Sequence, residues 1–138
     1  MTTETVEFEV PLPPPQCRAN SRSHWARRSA AALRYSESVY VAVARQGVAI
    51  PREPWKSANV TYTWHYCNGQ PDRSNLGGHT KLLQDLLCMA PPSATKRYYL
   101  GIVEDDRHIW PTYQLVKVPH RINECVHVRI ERREEHQG

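Results

Sequence analysis

Three short stretches carry side chains able to do chemistry together. Pro71-Asp72-Arg73-Ser74-Asn75-Leu76 sets a carboxylate in a turn-rich stretch, Glu104-Asp105-Asp106 sets three in a row, and between them Lys81 and Asp85 lie four residues apart. Carboxylates drawn from separate parts of a chain suit a hard divalent cation, because Mg²⁺ prefers carboxylate oxygens and water in an octahedral shell. Such an ion neutralises an anionic phosphodiester, lowers the pKa of its water and steadies the leaving oxygen. A lysine nearby adds a point charge for the phosphate or for charge that develops on it. The same residues also fit plain structure. Asp-Asp after a strand and Asp after Pro are common in turns, and Lys81 with Asp85 makes an ordinary helical ion pair of about 0.3–0.5 kcal/mol.

The elements that must position these groups are legible as periodicities. Val6, Phe8 and Val10 alternate with Glu7 and Glu9, which predicts a half-buried strand. Pro11 and Pro13-Pro14-Pro15 end it. A helix is expected from Ser29 or a neighbour to about Gln46, with Ala32, Ser36, Val39, Tyr40 and Val43 on one face and Gly47 as terminator. Val60, Tyr62, Trp64 and Tyr66 alternate with Thr61, Thr63 and His65 in the clearest strand, so Asp72 falls just past a strand end. A second helix is expected from His79 or Thr80 to about Met89, its apolar face Leu83, Leu86, Leu87 and Ala90, stopped by Pro91-Pro92. An irregular connection then runs to Tyr99. A strand over His108 to Val118, interrupted near Pro111, and a last one carrying Val126, Val128 and Ile130 complete the chain; Arg132 to Gly138 reads as a frayed tail. The order predicts one α+β domain over residues 1–138, a small mixed sheet of about four strands with two main helices.

At 138 residues and 40% hydrophobic content the chain can bury a core without disulfides. No apolar run is long enough to span a bilayer, and Met1 to Glu9 is polar, with no secretion signal. These features predict a cytoplasmic protein whose Cys17, Cys67, Cys88 and Cys125 are reduced structural thiols. Zinc on His65, Cys67, His79 and Cys88 is the other option for them, at a spacing that matches no standard module. The net charge of +4 decides little, but Gln16 to Arg34 holds five arginines and no acid. Such a block suits a phosphate backbone, which rewards clustered cations by counterion release; a solvated loop and helix start is the plain alternative.

Taken together the motifs resemble the RusA-like Holliday junction resolvases. That family has a proline-rich segment after its first strand, a signature D-x-D-N-L with a lysine and then an aspartate four residues on, and a glycine followed by paired aspartates. Here these are Pro11-Leu12-Pro13-Pro14-Pro15 with Asn20 and Trp25 downstream, Asp72-Arg73-Ser74-Asn75-Leu76 with Lys81 and Asp85, and Gly101-Ile102-Val103-Glu104-Asp105-Asp106 followed by Ile109. The likeness covers nearly the whole chain.

The resemblance implies a homodimeric endonuclease that uses Mg²⁺, with Mn²⁺ as substitute, to nick opposed strands of four-way or other branched DNA. Asp72, Asp106 and Lys81 correspond to its catalytic groups, and Asp85 or Asp105 lies close enough in sequence to assist the metal. Asn75 supports the loop or a metal-bound water. Arg18, Arg22, Arg27 and Arg28 would grip the backbone without reading sequence. Lys96 and Arg97 join them, beside Tyr98 and Tyr99, which either stack on unpaired bases or enter the core. Family members are often carried by phages and prophages. Ser74 stands where the signature has its second aspartate, and a hydroxyl is a far weaker Mg²⁺ ligand, so either another carboxylate compensates or the protein binds branched DNA and cuts poorly. Gly77-Gly78-His79 lengthens the gap before Lys81 and is expected to form a loop, with His79 exposed or touching a phosphate. A small interaction protein unrelated to DNA is the remaining class. Ser74→Asp is expected to raise Mg²⁺ affinity, read by calorimetry, or activity; no change means that another acid already fills the role.

Overall fold

Period-two alternation lays down a sheet with one greasy face. In the computed structural model, which describes residues 4–18, 24–92 and 97–133, strand β1 (Thr5–Val10) buries Val6, Phe8 and Val10. Strand β2 (Ala58–Tyr66) buries Ala58, Val60, Tyr62 and Trp64, and β4 (Cys125–Arg132) buries Val126, Val128 and Ile130. Strand β3 (Ile109–Lys117) lies at the edge in the order β1-β4-β2-β3, parallel to β2, while β4 runs antiparallel to both β1 and β2. The fold is α+β, a mixed four-stranded sheet with two helices, as the periodicities predict.

The interruption expected at Pro111 is absent, since β3 runs straight through it. Just beyond β3, the Val118 N–H donates to the Tyr66 carbonyl at 2.8 Å. By alternation the even residues of β3 turn their N–H groups toward β2 and the odd ones turn theirs outward. Proline therefore lacks a donor only on the side that has no partner strand.

Helix α1 (Trp25–Arg45) begins four residues before the expected Ser29, because the ring Nδ1 of His24 accepts the Ala26 N–H and caps it. Histidine is outside the usual capping set, so no cap signal precedes Trp25 in the sequence. The buried face is Ala31, Ala32, Tyr35, Ser36, Val39 and Val43; Tyr40, expected inside, is exposed and packs against Tyr98. Two contacts clamp α1 to the open edge of β1. The Tyr35 hydroxyl donates to the Pro11 carbonyl, and the Gln46 amide exchanges hydrogen bonds with Glu9 N–H and C=O, as a further strand would.

Helix α2 (Leu76–Leu87) starts three residues before His79, so Gly77 and Gly78 are helical and not a loop. Each glycine costs about 1 kcal/mol relative to alanine, which the burial of Leu76, Thr80 and Leu83 offsets. The helix ends at Leu87, before the expected Met89, because Cys88 turns extended and bridges to Val103. Ala90, expected on the apolar face, is exposed.

One open placement is decided and one expectation changes. Tyr99 packs partly on the core while Tyr98 stays outside. Arg132 is not frayed: it closes β4, with its N–H on the Glu4 carbonyl, and Arg133 donates its N–H to Ser57 and sets its guanidinium 3.9 Å over Trp110. The rest of the expected tail, 134–138, lies outside the described residues. No helix among the described residues is long and apolar enough to cross a membrane.

Leu83 is fully buried under the α2–sheet interface. Leu83→Ala is expected to destabilise by about 2–5 kcal/mol, read from the urea midpoint, whereas Ile122→Ala, at a position 92% exposed, should stay within about 0.5 kcal/mol.

Candidate functional site

The rotation of α2 is set by one buried polar contact. Trp64 is buried, so its indole N–H needs an acceptor, and it donates to Thr80 Oγ1 at 3.1 Å. The Thr80 hydroxyl donates in turn to the Leu76 carbonyl at 2.6 Å. One turn on, the Tyr62 hydroxyl donates to Gln84 Oε1. With positions 80 and 84 held against β2, residues 77, 81 and 85 form an adjacent stripe. That stripe faces β3: a Cβ at Gly77 would lie 3.5 Å from the Tyr113 hydroxyl, whose pKa burial raises while the Lys81 charge partly opposes the rise.

The acidic triplet arrives from the other direction. Leu100 N–H bonds to Leu86 O and Ile102 N–H to Leu87 O, at 2.7 and 2.8 Å, while Trp55 N–H takes the Ile102 carbonyl and Glu104 N–H the Trp55 carbonyl. Gly101 makes the turn possible at φ 66, a left-handed conformation that favours glycine. Ile102 and Val103 are fully buried. Thus anchored, the chain emerges at Asp105 and Asp106 beside α2.

Lys81 Nζ donates to Asp106 Oδ2 and pairs with Asp85 Oδ1 at 3.1 Å. The side chains of Lys81, Asp85 and Asp106 are 56%, 37% and 31% exposed, so a polyanion or ion can reach all three. The bond to Asp106 is the main cause that raises the Lys81 pKa; desolvation opposes it and Asp85 adds to it. Below them the Cys88 thiol is pushed up to about 12, by burial first and then by Asp106, Asp85 and Asp105.

The other expected ligands are committed locally. Asp105 caps the 3-10 turn Asp106–His108 through the Arg107 N–H and holds the Arg107 guanidinium at 3.0 and 3.2 Å. Those Arg107 contacts keep its carboxyl far below the usual carboxylate range. Asp72 caps the 3-10 turn Arg73–Asn75: its Oδ1 accepts both the Ser74 N–H at 3.0 Å and the Ser74 hydroxyl at 2.8 Å. The backbone bond first and the hydroxyl second depress its pKa, and His79 adds to this from a distance. Asn75 gives its backbone N–H to the Asp72 carbonyl, and its side chain makes no cap.

The structure therefore joins Asp85, Asp106 and Lys81, sets Asp105 beside them on Arg107, and holds Asp72 elsewhere. Asp72 belongs with Ser74, His79 and Arg18, on the Trp64 side of α2: the His79 ring is tilted against Trp64 and feels both Arg18 and Asp72. His79 is half-buried there, not exposed as expected. Among the described residues no group of three or more His, Cys, Asp or Glu is disposed around a single cation position, and His65, Cys67, His79 and Cys88 form no zinc site. All four cysteines are free thiols. Of the expected phosphate-binding cations, Arg28 and Arg97 both act on the Cys17 thiol and so gather near the proline turn. Arg27 is exposed on α1. Arg22 and Lys96, with Asn20, lie outside the described residues.

Sequence reasoning missed a cavity of about 410 Å³ between the proline segment and the end of β2, with Arg18, Tyr66, Arg121 and Glu124 among its walls. Its walls come from segments far apart in the chain, 12–18, 64–71 and 121–124, so no local pattern announces it. A comparison of the chain with protein-family models gave no match, and neither did one with curated proteins.

Ser74→Ala removes one of the two donors to Asp72 and is expected to raise its pKa, as followed by NMR titration of the carboxyl. The sign follows from linkage: a depressed carboxylate stabilises the fold above its unfolded pKa, and that contribution fades as pH falls through the folded value. The variant should therefore lose less stability than the wild type in that acid window.

Proposed function

We propose that this chain is a metal-dependent endodeoxyribonuclease that acts as a homodimer on four-way or other branched DNA. The observation that carries the reading is the shared Lys81 ammonium, held by Asp85 from α2 and Asp106 from the turn before β3, in reach of solvent. An exposed ion pair contributes little to stability, so the two carboxylates are free to exchange Lys81 for another cation at small cost to the fold.

The donor chemistry fits Mg²⁺ or Mn²⁺: Asp106 and Asp85 offer hard oxygens from two anchored elements, and the site already balances positive charge. When bound, the ion supplies neutralisation of the phosphate. The chain's own residues do the rest. Lys81, released toward a phosphate oxygen, offsets charge that builds there. Tyr113, whose hydroxyl lies against Gly77 one turn before Lys81, would form the edge of the site. Asp105 keeps the turn in place through Arg107. Arg18, Arg27, Arg28 and Arg97 hold the backbone, with Arg22 and Lys96 expected to join them. Two-fold pairing of subunits would present two sites to opposed strands. A cytoplasmic setting accords with four unpaired thiols.

A second reading is a branched-DNA-binding protein that cuts poorly. It is favoured by the Asp72 carboxylate, which is engaged by Ser74 and shares no partner with Lys81 among the described residues.

Nicking of a synthetic four-way junction in Mg²⁺ or Mn²⁺ decides between them. Asp106→Asn and Lys81→Ala are expected to lower the rate by about 100-fold or more, and Asp72→Asn should do so only if the two clusters act together. A wild type that binds junctions without cutting selects the second reading. Equal cutting by Asp106→Asn and wild type would overturn the site.

A further inference from the structure

The cavity beside the proline segment is built around a guanidinium. Arg18 sits 5.5 Å over the Trp64 ring, and its Nε donates to the Pro13 carbonyl at 2.8 Å, so the group is held from two sides. Trp64 is itself locked by Thr80. Arg121, from the turn before β4, and the Tyr66 ring line the same space. Glu124 lines it too, with one carboxylate oxygen engaged by the Cys67 N–H at 2.9 Å. Pro71 closes the border next to Asp72.

We propose that this cavity is a subsite for one unpaired nucleotide, its base stacked on the Arg18 guanidinium, its phosphate met by Arg121 and a base N–H accepted by Glu124. This rests on the branched-DNA reading, because branch points are where nucleotides leave the stack. The chemistry is specific to a nucleotide in three ways. A planar, weakly hydrated guanidinium stacks on a base as well as it pairs with an anion. A volume of about 410 Å³ lies within the range of small-ligand pockets. A carboxylate among the arginines repels a bare phosphate and suits a ligand that also carries N–H donors. Arg18 is thereby a binding residue held in place, and not one of several interchangeable surface charges.

The test is fluorescence anisotropy of the full chain in EDTA with two labelled single strands of equal length, oligodeoxycytidine and its abasic counterpart. The wild type is expected to bind the base-bearing strand about tenfold tighter, as stacking of a base implies. Arg18→Lys keeps the charge and should abolish the difference, and Arg121→Ala should weaken both strands. Equal binding of the two strands by the wild type, or full discrimination in a folded Arg18→Lys, overturns the subsite. Should Arg18→Lys fail to fold, NMR of the wild type decides: added deoxycytidine monophosphate must shift the Arg18 Nε–H and Trp64 indole signals, and unmoved signals overturn it. Because no divalent ion is present, the outcome stands apart from cleavage, so a chain that never nicks can still pass and one that nicks can still fail.

Discussion

The structure hangs on the hydrogen bond from the Trp64 indole to Thr80. An indole N–H buried without an acceptor costs on the order of 1–3 kcal/mol, so the largest side chain on the covered face of the sheet must find one. Thr80 meets the need and is itself satisfied by the Leu76 carbonyl one turn back. Buried Leu83, Leu86 and Leu87 already turn one face of α2 to the sheet. This relay, with Tyr62 on Gln84 as a second point, adds a directional constraint that apolar contact lacks. No buried side-chain N or O among the described residues is left without a partner.

Fixing that rotation divides the polar residues of α2 between two regions. Lys81 and Asp85 look toward β3 and meet Asp106, while His79 looks toward Trp64, Arg18 and Asp72. The two regions carry opposite balances. Around Lys81 the acids outnumber the bases, which suits a cation; around Arg18 and Arg121 the guanidinium groups dominate, which suits a phosphate and a base. On the nuclease reading proposed above, the first surface would handle the reacting group and the second would hold its neighbours.

Much of the fold was readable because two-residue periodicity needs no distant information. The alternations at Val6 to Val10, Val60 to Trp64 and Val126 to Ile130 are strands whose buried residues match the pattern. What went astray depended on neighbours. Pro111 breaks a strand only where a partner needs its N–H, and β3 has none on that side. Gly77 and Gly78 are poor helix formers taken into α2 by the burial of Leu76 and Thr80. The start of α1 turned on an imidazole cap, a rare choice.

The candidate site was half legible. Residue types and spacing singled out Lys81, Asp85 and Asp106 because a fixed helical interval and an acidic run are visible in one dimension. Sequence alone also showed that Ser74, two residues after Asp72, brings a hydroxyl and no charge. Only the tertiary structure decided that Ser74 donates to Asp72, that Asp105 goes to Arg107, and that Asp72 acts on His79 while Lys81 is held by Asp85 and Asp106. The physical reason is that a carboxylate takes the nearest good donor, and which donor is nearest depends on the roll of a helix that two aromatic side chains set from beneath.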